Sequence, residues 1–438
     1  MYIESLVIKG LYSHYDKNLK FKKDCTLLVG INGSGKTTIL RIINWLLTPS
    51  IPDLSSTKFD KIKMVFYHED IKYTILCEQD SLEMKYHLTA GSKQYEPLVA
   101  SLEQDPSSLN SDFRRRETML RRYKGLMPES KEMETWDAIR RIPSPVFLGV
   151  DRSPLSCERE LDSPRNLSNK SEKGTGLDYS SQLLTRASTE ENASVLDLTE
   201  RIKSKLMVYA FDAVVDINEV LPVRSYLPSR QEIEMVESRV VDLCKSDLIN
   251  QDDLNNVRQY FKRLKKLIGN DTKNDSDAHV NFVLNIKQYE KVKRILNDFE
   301  DFEAKKKQAT SKTDAFISIM NDFLKDSNKA IYINPSSSKV EYRIFDKNGR
   351  IVEEGLDIHY LASGEQQLFI LFSNIILGTP NHIYIIDEPE LSLHVKWLEM
   401  LYPHLEDVFP KENQLIIATH SPILADKKRD SALVLYPY

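Results

Sequence analysis

The residues with the clearest chemical meaning stand near the start of the chain, in the run Thr26-Leu-Leu-Val-Gly30-Ile-Asn32-Gly33-Ser34-Gly35-Lys36-Thr37-Thr38. Its glycines permit a tight turn in which successive backbone N–H groups converge on one anion, and a helix starting near Lys36 adds the positive end of its dipole. The spacing Gly30-x-x-x-x-Gly35-Lys36-Thr37 suits a nucleotide phosphate chain. Lys36 would reach the β- and γ-phosphates and the Thr37 hydroxyl would ligate Mg²⁺, with Asn32, Gly33, Ser34, Gly35 and Thr38 completing the cradle. The elements such a loop needs are predicted on either side. Thr26 to Val29 reads as a buried strand, and Ile39-Leu40, Ile42-Ile43 and Leu46-Leu47 recur at helical spacing.

A complementary set lies more than 300 residues downstream: Leu361-Ala-Ser363-Gly364-Glu365-Gln-Gln367, then Ile383-Tyr-Ile-Ile-Asp387-Glu388-Pro-Glu390, then Ala418-Thr-His420-Ser-Pro422. His382 to Ile386 is an apolar strand ending in two carboxylates, and ligands of open α/β sheets bind at that edge. Asp387 suits Mg²⁺, which favours one or two carboxylates plus phosphate oxygens. Glu388 could polarise the attacking water as general base. His420 follows another apolar strand, Leu415 to Ala418, and is placed to meet a γ-phosphate. Catalytic roles therefore fall on Lys36, Glu388 and His420, and the cofactors implied are ATP and Mg²⁺. A large insertion separates the two halves of this site.

These blocks, in this order, resemble ABC-type ATPases, and more narrowly the RecF, SMC and OLD branch of AAA-like ATPases. The resemblance covers residues 1 to about 75 and 330 to 438 well and the middle poorly. It implies an α/β fold class: an ABC-type P-loop head with a mixed sheet, interrupted by a long helical, coiled-coil insertion. It also implies that Ser363, Gly364 and Glu365 of one protomer cap the ATP held by another, so that two copies form a homodimer around nucleotide. A small hydroxyl and a bare glycine backbone at a helix N-terminus allow close approach to phosphate; Leu361 to Gly364 is equally a helix N-cap. Pro389 to His394 falls where the family keeps its D-loop. No Q-loop glutamine is evident: the strand Pro145 to Val150 leads instead to Asp151 and Arg152. Tyr12, His14 and Tyr15 are candidates for stacking on adenine, or for ordinary packing in a hairpin.

At 438 residues, 41% apolar and 29% charged, the chain has room for two or three domains of ordinary composition. No apolar run approaches the roughly 18 residues needed to span a bilayer, and Met1-Tyr-Ile-Glu lacks the order of a signal peptide, so a cytoplasmic protein with no membrane partner is expected. Cysteines at 25, 77, 157 and 244 lack metal-ligand spacing and read as reduced thiols. A net charge of −5 argues against a chain dominated by nucleic-acid binding, although a local patch remains open. Arg114-Arg115-Arg116 and Arg121-Arg122-Tyr-Lys124 would share a helix face, suited to a phosphate backbone or an acidic protein, or simply solvated.

Residues 153 to 192, rich in Ser, Asn, Thr, Gly and charge, read as a mobile loop or linker. Within 231 to 269, Val236, Val240, Leu243, Leu254, Val257, Phe261, Leu264 and Ile268 keep a mostly heptad spacing, interrupted at Asp247 and Asn250. That predicts one helix of about 60 Å, with a second stretch over 277 to 327 returning as an antiparallel hairpin. Asn348-Gly349 marks a hairpin turn within a return to β structure over 330 to 355. The expected domains are 1–190 (first half of the head), 191–329 (helical arm) and 330–438 (second half of the head).

Two functions remain open. One is a regulatory or scaffold ATPase of an anti-phage system, similar to the ABC-type subunits of PARIS and Septu. In that case an ATP-dependent dimer, or a larger oligomer, restrains a separately encoded nuclease of Toprim or HNH type until a phage-encoded trigger appears. The motive is that only 18 residues follow His420, where OLD nucleases continue into a Toprim domain. The other is a RecF- or SMC-like ATPase of DNA repair or chromosome maintenance that clamps DNA.

Overall fold

The computed structural model describes residues 1–102, 128–149, 176–211, 228–245, 251–268, 276–378 and 382–436. The basic segment Arg114 to Lys124, Asp151, Arg152 and Cys157 lie outside the described residues. The chain divides into two units, Met1–Ala187 with Lys312–Tyr438, and Ser188–Ser311.

The first unit is built on three sheets. Strands β1 (Tyr2–Leu11), β2 (Tyr15–Lys20), β4 (Lys61–His68), β5 (Ile71–Gln79), β6 (Glu83–Ala90) and β7 (Lys93–Gln94) run in the order β2-β1-β4-β5-β6-β7, with β8 (Leu98–Ser101) also on β6; all pairings are antiparallel. A five-stranded parallel sheet has the order β15-β3-β14-β13-β9, from β3 (Cys25–Val29), β9 (Val146–Leu148), β13 (Ile383–Asp387), β14 (Gln414–Thr419) and β15 (Ala432–Val434). An antiparallel meander comprises β10 (Lys329–Ile333), β11 (Val340–Phe345) and β12 (Ile351–Asp357). The expected mixed sheet is thus sorted by direction: parallel and antiparallel pairings occupy separate sheets.

The parallel sheet is covered on both faces, which is why its strands read as continuous apolar runs rather than alternating ones. Along β13, Ile383 and Ile385 enter one core while Tyr384 and Ile386 enter the other; along β14, Ile416 and Ala418 separate from Leu415 and Ile417 in the same way. Strand periodicity of two does this sorting. The first core lies between this sheet, the antiparallel sheet and helix α1 (Lys36–Leu47), with α2 (Ile51–Ser56) and α3 (Met133–Arg140) at its margin. Gln414 ties the two sheets together: its amide accepts from Ile3 N at 2.7 Å and donates to Ile3 O at 2.9 Å and Lys22 O at 2.7 Å.

The segment 153–192, expected as a loop, is helical from residue 176, in α4 (Gly176–Phe211). Two forces overcome its polar composition. Leu177 and Leu184, one heptad apart, are buried, and Asn374 Nδ2 donates to Ser180 Oγ. The hydroxyls of Thr185, Ser194, Thr199 and Ser204 each bond the carbonyl one turn back, so hydroxyl side chains that normally compete with a helix are absorbed by it.

The single helix expected over 231–269 is two helices, α5 (Arg230–Lys245) and α6 (Gln251–Ile268). Lys265 Nζ lies 2.5 Å from Glu237 Oε2, whereas a continuous helix would hold these residues roughly 42 Å apart. The heptad pattern therefore serves an antiparallel pair. Helix α7 (Ser276–Ala309) joins it alongside α5, with Lys293 on Glu232 and Arg239 on Glu300. Ile233, Val236, Phe261, Leu264, Tyr289 and Leu296 form the core of this unit, so the expected two-helix hairpin is a three-helix core. The last stretch, α8 (Ser311–Leu324), belongs to the first unit: Phe316 and Phe323 pack on Phe369 and Phe372 of α9 (Ser363–Leu377). With α10 (Val395–Val408) and α11 (Pro422–Lys427), they cover the second face of the parallel sheet.

Candidate active site

The turn between β3 and α1 has Gly33 at φ +82 and Gly35 at φ +84, left-handed positions that admit glycine without strain. A Cβ on Gly35 would also stand 2.7 Å from the Tyr15 hydroxyl. Tyr15 is buried and its hydroxyl donates to the Ser34 carbonyl, so it supports the loop. Tyr12, 53% exposed, and His14 remain available at the rim. Together with Leu11, Tyr15, Asn32, Gly33, Gly35, Lys36, Thr37, Thr38 and Glu388 they line a cavity of about 370 Å³. Ser34 is fully buried, its hydroxyl finds no hydrogen-bond partner, and it does not line the cavity.

Lys36 is 4% exposed and its ammonium donates to the carbonyls of Gly30 at 2.7 Å and Ile31 at 3.1 Å. Thr37 Oγ1 donates to Asp387 Oδ1 at 3.2 Å, joining residues 350 positions apart. Burial raises the Asp387 carboxyl above its ordinary range, opposed by the Thr37 hydrogen bond and reinforced by the charge of Glu388. A hydroxyl beside a buried carboxylate whose charge lacks solvation is an oxygen donor set that fits a hard divalent cation. Glu388 itself adopts φ +49, a strained backbone for a non-glycine residue, held by its N–H on Ala418 O at 2.9 Å and by Leu391 N on its carbonyl at 3.1 Å. Glu388 lines the loop cavity.

Beyond Glu388 the chain doubles back, and Glu390 becomes a buried anchor for the turn after β14. Its Oε1 accepts from Thr419 Oγ1 at 2.6 Å, His420 N at 2.7 Å and Ser421 N at 3.0 Å, and lies 3.2 Å from His420 Nδ1. His420 Nδ1 is also 3.7 Å from Glu388 Oε1. His420 lines a neighbouring groove with Gly30, Ile31 and Asn32 rather than the loop cavity itself. Nothing in the sequence spacing marks Glu390 as its partner; the pairing of β13 with β14 creates the contact.

Ser363 is exposed at the start of α9, while Gly364 and Glu365 are buried. None of the three lines the loop cavity of the same chain. The missing side chain of Gly364 serves an internal approach, since a Cβ there would lie 2.7 Å from Ser392 O in the turn after β13. Glu365, grouped with nucleotide contacts by the sequence, faces inward. It accepts from Ala362 N at 2.8 Å and Ser327 Oγ at 2.9 Å and pairs with Lys329 at 2.8 Å, so its role in this chain is to fix the helix start.

A family model described as an AAA ATPase domain matches residues 1–425. The chain belongs to that family. This AAA ATPase is 30% identical over 155 residues to a retron Ec83 probable ATPase of Escherichia coli, a stretch covering 31% of this chain and 27% of that protein. The match thus spans about a quarter of the relative's length. A crystal structure of an Smc head bound to the C-winged helix domain of ScpA aligns with 97% of this chain and 91% of its own at a TM-score of 0.38 and 13% identity. Among the described residues, no helix is long and apolar enough to cross a membrane.

Proposed function

We propose that this AAA ATPase is the regulatory or scaffold subunit of an anti-phage defence system, using ATP-dependent assembly to control a separately encoded nuclease. The observation that carries the reading is the similarity to a retron-associated probable ATPase. The site geometry is compatible with it. Lys36 and the loop amides would bind the phosphates, Thr37 and Asp387 would hold Mg²⁺, Glu388 would orient the attacking water, and His420 would face the γ-phosphate. Mg²⁺, when bound, would neutralise phosphate charge during cleavage. The exposed Ser363 end of α9 is free to meet nucleotide on a second copy, making a homodimer the minimal assembly. A ligand at 100 times its Kd stabilises the state that binds it by about 2.7 kcal/mol, enough to select between assemblies.

The test is the mass of the Glu388→Gln protein with and without Mg-ATP, purified together with the product of its neighbouring gene. An ATP-dependent multimer retaining that second protein is the expected result. A bare dimer that instead retains DNA in a salt-sensitive manner would replace this reading with a DNA clamp.

A further inference from the structure

Helix α6 buries Phe261 and Leu264 in the core of the helical unit, with Val257 and Tyr260 half-buried beside them. Its other face is basic without relief: from Leu254 to Ile268 it carries Arg258, Lys262, Arg263, Lys265 and Lys266 and no acid. Elsewhere in this unit cations are matched, Lys205 to Asp298, Arg239 to Glu300 and Lys293 to Glu232. Lys265 is matched too, 2.5 Å from Glu237, and Arg230 of α5 meets Glu234 at 3.3 Å. Arg258, Lys262 and Lys266 are exposed and have no ion-pair or hydrogen-bond partner among the described residues. They recur at every fourth position, where like charges on a helix repel and weaken it. The helix dipole favours Lys266 in the last turn, but it gives no support to Arg258 or Lys262. With Arg230, Glu237 and Lys265, these three line a recess of about 600 Å³.

We propose that this recess is a docking site for an acidic segment of a partner protein. Arg258, Lys262 and Lys266 stand about 6 Å apart along the helix axis. Carboxylates on alternate residues of an extended peptide recur about every 6.8 Å, so three of them meet the three cations nearly in register. Nucleic acid fits less well. Three unmatched cations fall short of the roughly six to ten phosphate contacts that hold a protein firmly on a duplex. Glu237 interrupts the basic lining, which a peptide accommodates with one neutral or basic residue and a uniform phosphate backbone does not. No aromatic ring lines the recess to stack on a base. The chain's net charge of −5 also repels a long polyanion more than a short acidic segment. The site involves no nucleotide, so it stands or falls separately from the regulatory reading above.

The test is fluorescence anisotropy of a labelled peptide of alternating Glu and Ser, titrated with the full chain at low salt, beside a peptide in which Gln replaces every Glu. The Glu peptide should bind, its binding should weaken as salt screens the charges, and the Gln peptide should not bind. Lys262→Glu is the deciding variant, because it turns both fourth-position repulsions into attractions and leaves the last turn intact. It should weaken binding of the Glu peptide by about tenfold or more, with a Tm no lower than that of the native chain and ATP turnover unchanged. Lys262→Gln, which removes the charge without reversing it, should weaken binding by about threefold. Equal affinity for the Glu and Gln peptides, unchanged binding in Lys262→Glu, or tighter binding of a duplex oligonucleotide than of the Glu peptide would overturn the proposal. So would a lowered Tm in Lys262→Glu, which would make the basic stripe part of what holds the helices together.

Discussion

Lys36 is held by two carbonyls of its own loop, which orients its ammonium without committing it to a counter-charge. Lys36→Ala should therefore remove ATP binding or reduce turnover by about 100-fold or more, measured by nucleotide titration and phosphate release. Glu388→Gln should retain ATP yet stop hydrolysis, and gel filtration should show the closed dimer accumulating with Mg-ATP. Asp387 carries a different signature, since burial raises its carboxyl above the ordinary value of 3.8. The folded chain then binds a proton more tightly than the unfolded chain, so stability falls as pH rises from that value through the raised folded one. Asp387→Asn should raise Tm at neutral pH, with the advantage disappearing as pH falls below the unfolded carboxylate range, while abolishing Mg-dependent turnover. A Tm advantage constant across pH would contradict the account.

Among elements, the contacts that matter most join segments far apart in the chain. Gln414 links the parallel sheet to β1, and Gln414→Leu would strand the buried N–H and C=O of Ile3; a loss of about 2 to 3 kcal/mol in denaturant unfolding is expected. The start of α4 is tied to the approach to α9 by His359, whose Nε2 lies 2.9 Å from Asp178. Hydrogen bonding to Asp357, then to Asp178, raises the His359 pKa above 6.5. Its stabilisation is fully present below that value and is lost as pH rises through the raised one. Because His359 is 46% exposed, the effect should stay below about 1 kcal/mol. The Tm difference between the native chain and His359→Gln should be measurable near pH 5.5 and absent by pH 9.

The whole molecule contains two units with separate cores. Phe261→Ala should destabilise the helical unit by about 3 to 5 kcal/mol and shift one calorimetric transition, leaving the transition of the ATPase unit in place. A single transition shifting as a whole would show the two to be cooperative. The glycine turn before α1, the strand ending in Asp387-Glu388 and the turn at Asn348-Gly349 were all legible in the sequence, because each is written in local spacing and in the backbone freedom of particular residues. The part of the expected 153–192 loop from residue 176 onward and the single helix over 231–269 were misread, each for its own reason. Ser and Thr can satisfy their hydroxyls inside a helix, and a heptad pattern does not say whether its apolar stripe meets another helix or its own continuation. The sequence by itself determined which chemical groups are available and pointed to two distant segments that would meet, as Thr37 and Asp387 do. Only the tertiary structure decided that Tyr15 supports the loop, that Glu365 turns inward and that Glu390 holds His420, because those roles depend on burial and on distances across strands that local spacing does not encode.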